Sequence, residues 1–180
     1  MAAVSPIQIR PSSPQDAPAV RALYQRVARA SGGLARQPEE ISAEYVQHFL
    51  ARAQAQGVGL VAEQLGQVVA EIHTYATGLQ IFAHVLGDLT VAVDASVQGL
   101  GLGRRLFETL LAEVQARFPQ VRRVELLVRE SNTRAITLYE KLGFRQEGRF
   151  EGRVAGEHGL EADIPMAWCT PHQTETAQTS

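Results

Sequence analysis

A glycine-rich turn between a strand and a helix constrains this chain more than any other feature. Residues 89–105 are LTVAVDASVQGLGLGRR, in which a β-branched run precedes Gly99, Gly101 and Gly103, and an amphipathic helical pattern follows. Glycine allows the backbone to approach a ligand closely, and the first amides of a helix have no intrahelical partner. Because the helix dipole adds positive potential there, the turn predicts an anion-binding site. The alternative is a tight turn followed by solvated arginines.

The residues around the turn narrow the kind of anion. Arg104 and Arg105 lie in the first turn of the predicted helix, where their positive charges are unfavourable beside the positive end of the helix dipole. An anion bound next to them would offset this cost, so their position favours an anion site. A Walker-type phosphate loop needs Gly-Lys-Ser/Thr, but the single lysine, Lys141, lies far along the chain. The dinucleotide motif G-x-G-x-x-G also fails, because Arg104 and Leu106 stand where its third glycine would be. The sequence therefore disfavours a nucleotide hydrolase and a simple NAD site.

Two segments, in order along the chain, carry a more specific pattern. The first is Gln98-x-x-Gly101-x-Gly103, and the second is SNTRAITLYEKLGF at residues 131–144. Together they resemble the GNAT superfamily of acetyl-CoA-dependent N-acetyltransferases. The resemblance implies a GNAT-like fold in which the glycine turn holds the pyrophosphate of coenzyme A.

The same resemblance implies roles for individual residues. Backbone groups at residues 91–93 would pair with the pantetheine arm, and amides at residues 100–104 would bind the pyrophosphate. Asn132 would contact the pantetheine, and as a helix N-cap it would also have a structural role. Tyr139 would protonate the departing thiolate, with a core tyrosine as the alternative. The cofactor-binding residues expected on this basis are Val91, Ala92, Val93, Gln98, Gly99, Leu100, Gly101, Leu102, Gly103, Arg104, Asn132, Ala135 and Tyr139.

An acceptor amine must lose a proton, because an alkylamine with a pKa of about 10 is mostly protonated at neutral pH. The candidate bases are Glu71 and His73 on one strand, and His84 and Asp88 before the next. Glu71 and His73 have the same strand parity, so they should face the same side. Each candidate could instead pair with an arginine or face a loop, and water could accept the proton. The expected catalytic residues are Tyr139, Asp88 and Glu71.

Hydrophobic periodicity predicts the element order β-α-α-β-β-β-α-β-α-β-β. The fold class is α/β (α+β mixed sheet), with a central, mostly antiparallel sheet of about six to seven strands flanked by about four helices. A hairpin is expected at residues 64–66, Asp16 is expected to cap the first helix, and Pro165 places the last strand at an edge or bulge. The predicted strands are 7–10, 57–63, 67–75, 89–93, 124–128, 144–150 and 160–168, and the predicted helices are 17–30, 39–56, 101–118 and 132–142.

Composition excludes several classes of protein. One lysine, one cysteine and a formal net charge of −2 in 180 residues argue against a disulfide framework, a cysteine-based metal site and a general nucleic-acid binder. No run approaches the roughly eighteen apolar residues of a membrane span, and no secretory signal pattern opens the sequence. We therefore expect no metal, no membrane contact and a cytoplasmic location. A single domain at residues 1–168 and a polar, disordered tail at residues 169–180 are expected.

The functional hypothesis is transfer of an acetyl group from acetyl-CoA to a primary amine of a small molecule or protein, by direct attack in a ternary complex. Cys169 would be a bystander. The acceptor pocket would come from residues 31–44, 77–86 and 149–159. The acidic residues Glu151, Glu157, Glu161 and Asp163 would bind a cationic amine, with solvation or pairing with Arg149 and Arg153 as the alternative. One alternative is a non-catalytic coenzyme A-binding or regulatory module, and another is a phosphate- or nucleotide-binding domain outside the family. A homodimer through exposed strands or the C-terminal hairpin is compatible with the sequence.

Overall fold

Four helices and one large sheet make up the described part of the chain. The computed structural model describes residues 5–30, 34–156 and 158–170. The helices are α1 (Ala17–Arg29), α2 (Ala43–Gln56), α3 (Leu102–Arg117) and α4 (Thr133–Lys141). The strands are β1 (Gln8–Pro11), β2 (Gly57–Gln64), β3 (Gln67–Tyr75), β4 (Val85–Val93), β5 (Arg123–Arg129), β6 (Arg145–Gln146), β7 (Phe150–Gly156) and β8 (Gly159–Cys169). Residues 31–33 and 157 of the predicted acceptor pocket, and residues 171–180 of the predicted tail, lie outside the described residues.

The eight strands form one sheet in the order β1-β2-β3-β4-β5-β8-β6, with β7 also paired to β8. Every pair is antiparallel except β4 with β5, which is parallel. The predicted mostly antiparallel mixed sheet with four helices is confirmed. The strand count is higher than predicted because the segment at residues 144–150 is divided. β6 keeps only two residues of it, and a separate strand, β7, begins at Phe150.

Pro165 lies in an interior strand, so of the two predicted positions, an edge or a bulge, the edge is wrong. β8 pairs with β5 on one side, where Pro165 is opposite Leu127, and with β6 and β7 on the other. The Pro165 carbonyl accepts from the Glu147 amide at 2.9 Å, in the gap between β6 and β7. The nitrogen and carbonyl of one strand residue point toward the same neighbour. The missing N–H of proline therefore faces this gap and costs no hydrogen bond to β5.

Different helices cover the two faces of the sheet. α3 buries residues such as Phe107 against Ile72 and the rest of one apolar cluster. α1 and α2 bury Leu23 and Phe49 against the opposite face, where Ala92 of β4 also lies. Since side chains alternate along a strand, Val68 and Val69 of β3 belong to different clusters, as do Val91 and Ala92 of β4.

Two predicted helix starts need correction. Asp16 precedes α1, but its carboxylate accepts from the Ser13 amide at 2.8 Å and from Arg10, so it closes a 3-10 turn and caps no α1 amide. α2 begins at Ala43, later than predicted, because the Ser42 hydroxyl accepts from the Tyr45 amide at 3.0 Å. The hairpin between β2 and β3 is confirmed.

The last strand continues past its predicted end. Cys169 pairs with Arg123 of β5, and the Thr170 amide donates to the Arg122 carbonyl at 3.1 Å. These two residues, predicted as the start of the polar tail, therefore continue the backbone hydrogen bonding between the end of β8 and the start of β5. Across the described ranges, no helix combines the length and apolar character needed to cross a membrane.

β4 and β5 are paired only at their beginnings. The register pairs are Val85 with Arg123 and Leu86 with Val124. Beyond Leu86 the two parallel strands diverge, so β4 has an unpaired backbone edge from Gly87 onward. The divergence opens a cleft in the middle of the sheet.

Candidate functional site

A cleft of about 1340 Å³ occupies the gap between β4 and β5. The glycine turn and the start of α3 form one wall, α4 forms another, and residues 34–36 and the β7–β8 hairpin lie at the far end. Most of the residues predicted to bind the cofactor line it, namely Val91, Val93, Gln98, Gly99, Gly101, Leu102, Gly103, Arg104, Asn132, Ala135 and Tyr139.

The open edge of β4 offers hydrogen-bonding groups to the cleft. The Asp94 amide donates to Val69 of β3 at 2.9 Å, so the backbone of Ala92, two residues earlier, also faces β3. The backbone groups of Val91 and Val93 face the opposite way, toward the cleft. This corrects the prediction for Ala92, whose side chain is also buried under α1 and α2. Two of the three predicted strand residues can therefore pair with an extended ligand.

The glycine turn has the backbone geometry of a ligand cradle. Gly99 and Gly101 have φ of +80° and +73°, a region that favours glycine, and a Cβ on either would meet nothing within 4 Å. The first intrahelical bond runs from the Arg105 amide to the Gly101 carbonyl at 3.1 Å. The amides at residues 102–104 therefore precede any intrahelical acceptor and are available to an anion. The Gln98 side chain donates to the Val93 carbonyl at 3.3 Å, which ties the turn to β4.

The basic residues beside the turn differ in placement. Arg104 lines the cleft and donates through Nε to Glu108 at 2.7 Å. Arg105 lies outside the cleft lining and reaches the Ile7 carbonyl at 3.5 Å. Leu100 is 60% exposed and also lies outside the lining, and the prediction that its backbone amide binds the pyrophosphate stays a prediction. Of these two arginines, Arg104 is therefore the one placed to add a positive side chain to this anion site.

Asn132 and Tyr139 bring α4 to the same cleft. The Asn132 side-chain oxygen accepts from the Ala135 amide at 3.3 Å, so its predicted role as the N-cap is confirmed. The Tyr139 ring packs against Phe107 and Phe144, with centroid distances of 5.0 and 6.0 Å. Burial raises the pKa of Tyr139 to about 12. Among the described residues, none forms a hydrogen bond with its hydroxyl. The hydroxyl is not fully buried, and because Tyr139 lines the cleft, the hydroxyl is accessible from the cleft.

Asp88 is the one predicted base that lines the cleft within the described ranges. Tyr75 pairs with Gly87 and His73 pairs with Thr90, so β4 contains one extra residue at this point, a β-bulge. Asp88 lies in this bulge with φ of +50°, and its side chain is exposed. Burial first, and then the Asp88 charge, raises the pKa of Tyr75 to about 12. The bulge thus presents a carboxylate at the cleft beside a tyrosine.

The other predicted bases lie elsewhere. Glu71 and His73 share a face of β3, as predicted from their parity, but this face is covered by α1 and α2. Glu71 is fully buried and outside the cleft lining, which corrects the expectation that it faces the amine. His84 is exposed, and its carbonyl accepts from the Arg122 amide at 2.8 Å at the start of the β4–β5 pair.

The far wall contains residues that sequence reasoning missed. The Arg36 guanidinium lies over the Tyr45 ring, 3.9 Å from its centroid. Arg129 of β5 donates to the Leu34 carbonyl at 3.4 Å across the cleft. The alternation of buried and less buried residues along β5 could have identified Arg129 as facing away from the apolar core. The neighbouring sequence gave no indication that Arg129 would bond to the Leu34 carbonyl. In the described part of the chain, no three His, Cys, Asp or Glu side chains cluster as a metal site requires.

Comparison with known proteins agrees with this geometry. The family model described as "Acetyltransferase (GNAT) family" matches residues 19–144. A curated relative, the ribosomal protein bS18-alanine N-acetyltransferase of Escherichia coli, is 48% identical over 77 residues, which are 43% of this chain and 51% of that protein. The matched part thus spans about half or less of the curated relatives' length.

Solved structures match over nearly the whole chain. An acetyltransferase of the GNAT family from Streptococcus pneumoniae has a TM-score of 0.82 at 24% identity, covering 92% of this chain and 100% of that chain. A Salmonella typhimurium protein solved with its cofactor acetyl-CoA has a TM-score of 0.80 at 19% identity, covering 97% and 100%. At these identities the likeness establishes a shared fold.

Proposed function

Because the chain belongs to the acetyltransferase (GNAT) family, we propose that it transfers an acetyl group from acetyl-CoA to a primary amine by direct attack in a ternary complex. The observation that carries the proposal is the open edge of β4 beside the glycine turn, both in one cleft. An extended amide-containing arm fits the first feature and a pyrophosphate fits the second.

The residues present suit coenzyme A. Val91 and Val93 would pair with the amides of the pantetheine arm, and the amides at residues 102–104 would bind the pyrophosphate. Arg104 would add a positive charge at the phosphates, and the Asn132 amide group would contact the arm from α4. When bound, acetyl-CoA supplies an activated thioester carbonyl.

Asp88 and Tyr139 would serve the proton transfers. A cationic amine is attracted to the Asp88 carboxylate, which then accepts the proton that the amine must lose. As the nitrogen–carbon bond forms, the carbon–sulfur bond breaks and the electron pair leaves on sulfur. The Tyr139 hydroxyl donates a proton to that thiolate and regains one from solvent. The chain needs no nucleophile of its own.

The acceptor class follows from the far end of the cleft. Residues 34–36 and the β7–β8 hairpin border it, with Leu127, Phe150 and Pro165 in its lining. A small amine or the N-terminal residue of a peptide can enter from this side. The curated relative that acts on ribosomal protein bS18-alanine makes an N-terminal alanine peptide the first acceptor to test. A cytoplasmic location and a homodimer are part of the same proposal.

The test is acetyl-CoA-dependent thiol release with a panel of an alkylamine, free amino acids and a peptide with N-terminal alanine. We expect at least one amine to accelerate release over many turnovers, with the acetylated product identified by mass. Cys169 is an exposed thiol that would react with the detection reagent, so a Cys169→Ser protein provides the background control.

The Asp88→Asn variant separates catalysis from binding. Asparagine tolerates positive φ, so the bulge should be retained. We expect kcat for the amine to fall about a hundredfold while the affinity for acetyl-CoA is unchanged. Binding of acetyl-CoA without turnover of any amine would instead support the non-catalytic coenzyme A-binding module.

A further inference from the structure

A buried polar network lies between α1 and β3, outside the lining of the cleft. Glu71 of β3 is fully buried, and its carboxylate accepts a short hydrogen bond from the Tyr24 hydroxyl of α1. Nδ1 of His73 lies 3.1 Å from both Glu71 oxygens. Burial, followed by the charge of Glu71, raises the pKa of Tyr24 well above its usual range, so this hydroxyl remains a donor.

Stability alone does not account for this network. Among the described residues, no arginine or lysine lies within 4.0 Å of Glu71, so histidine and tyrosine are its partners. A buried carboxylate is costly to desolvate, and apolar residues of similar size often give equal or greater stability. Such a network can instead fix the orientation of the aromatic rings that it bonds to, here those of Tyr24 and His73.

The His73 ring is held flat between two aromatic rings. Its centroid lies 4.1 Å from that of Phe49 at an interplanar angle of 13°, and 5.9 Å from that of Tyr75 at 3°. The bond from Nδ1 to Glu71 prevents this ring from rotating in its stack. On the Tyr75 ring, the Arg52 guanidinium lies 4.6 Å from the centroid. The position of Tyr75 is therefore set from the buried side by His73.

Tyr75 connects this stack to the cleft. It pairs with Gly87 in the sheet, immediately before Asp88 in the β4 bulge. The adjacent Thr74 hydroxyl donates to the Gly87 carbonyl at 2.7 Å, which fixes the same backbone. Asp88 has a backbone conformation that non-glycine residues rarely adopt, and so depends on its surroundings for a defined orientation.

We propose that Tyr24, Glu71 and His73 are positioning residues that hold Tyr75 and the Asp88 bulge in place for the acceptor amine. The inference rests on the proposed function, since it assigns Asp88 the contact with the amine. It gives the buried carboxylate a role although Glu71 does not face the cleft. None of the three touches the cofactor wall, so they should affect the acceptor and leave acetyl-CoA binding unchanged.

Tyr24→Phe and Glu71→Gln test the proposal in the full chain. Tyr24→Phe removes one hydroxyl and keeps the ring that stacks on Phe49 at 5.3 Å. We expect kcat/KM for the amine to fall about tenfold in each variant, because small misplacements of reacting groups are costly. KM for acetyl-CoA should be unchanged. The double variant should lose about as much as Glu71→Gln alone, because both changes break one network.

Val20→Ala is the matched control, since Val20 is buried in α1 but is not part of the network. It should lower the melting temperature and leave both kinetic constants per folded molecule unchanged. If the two network variants behave like Val20→Ala, the positioning role is refuted. If Glu71→Gln does not fold, Tyr24→Phe decides alone. Failure of the wild-type protein to acetylate any amine would refute the proposed function itself. If the wild-type protein does acetylate an amine and the network variants do so equally well, only the positioning role is refuted.

Discussion

Tyr139 illustrates how one residue can serve both the core and the cleft. Its ring packs on Phe107 and Phe144, while its hydroxyl is accessible from the cleft. Tyr139→Phe keeps the packing and removes the proposed acid, so we expect kcat to fall about a hundredfold with acetyl-CoA affinity unchanged. Steady-state kinetics and a binding titration check this, and unchanged kcat would show that water protonates the thiolate.

The raised pKa of Tyr139 gives the same residue a pH signature. Burial favours the neutral phenol, so its pKa rises to about 12. The proton-donating form persists until the pH rises through that value. Loss of activity between neutral pH and about 10 would therefore have to come from another group.

The sequence around individual residues predicted where some side chains lie in the structure and failed for others. Asn132 at a helix start predicted a cap because the capping bond is local. Alternation predicted that Glu71 and His73 share a face, but it could not say whether helices or the cleft lie over that face. That choice depends on where α1 and α2 pack, which involves residues distant in sequence.

At the scale of elements, the glycine turn is the part whose chemistry a single substitution can isolate. Asparagine and aspartate have nearly the same shape and both tolerate positive φ, and the space at the Gly101 Cβ is open. Gly101→Asp should therefore weaken acetyl-CoA binding far more than Gly101→Asn, by about tenfold or more, because only the first places a carboxylate beside the phosphates. Calorimetric titration of both variants measures the difference. Equal affinities would show that the pyrophosphate lies elsewhere.

Elements with a local signal were predicted well, and those defined by distant pairing were not. α3 and α4 have strong apolar stripes and recognisable ends, and they lie within two residues of their predicted limits. β7 was missed because residues 150–156 are exposed and have no clear alternation. Pro165 pointed to an edge, yet the gap between β6 and β7 accommodates it inside the sheet. No local pattern reveals a gap made by two other strands.

At the scale of the whole molecule, the cleft results from an interrupted sheet. The strand and turn motifs predicted its cofactor wall, because those residues are consecutive. The divergence of β4 from β5 after Leu86 and the Arg129–Leu34 contact depend on the packing of separate elements. The acceptor side was therefore predicted only as a set of variable segments. The contacts of Tyr45 with Arg36 and of Tyr75 with Asp88, which lie behind two of its lining residues, emerged from the three-dimensional arrangement.

A ligand that spans this cleft should stabilise the entire fold, since β4, β5, α3 and α4 all contribute to it. At one hundred times its dissociation constant, a ligand that binds only the folded state adds about 2.7 kcal/mol. For a chain of this size that corresponds to a rise in melting temperature of about 5–10 °C. We expect this rise with acetyl-CoA and with free coenzyme A, and a much smaller one with ATP or NAD, which lack the pantetheine arm that the open edge of β4 would pair with. Thermal denaturation with each ligand at about 1 mM, the upper end of the usual range of KM values, measures it. Equal shifts in melting temperature with all four ligands would indicate that the cleft binds phosphate groups without recognising the pantetheine arm. The absence of any shift with acetyl-CoA would contradict the assignment of acetyl-CoA as the cosubstrate.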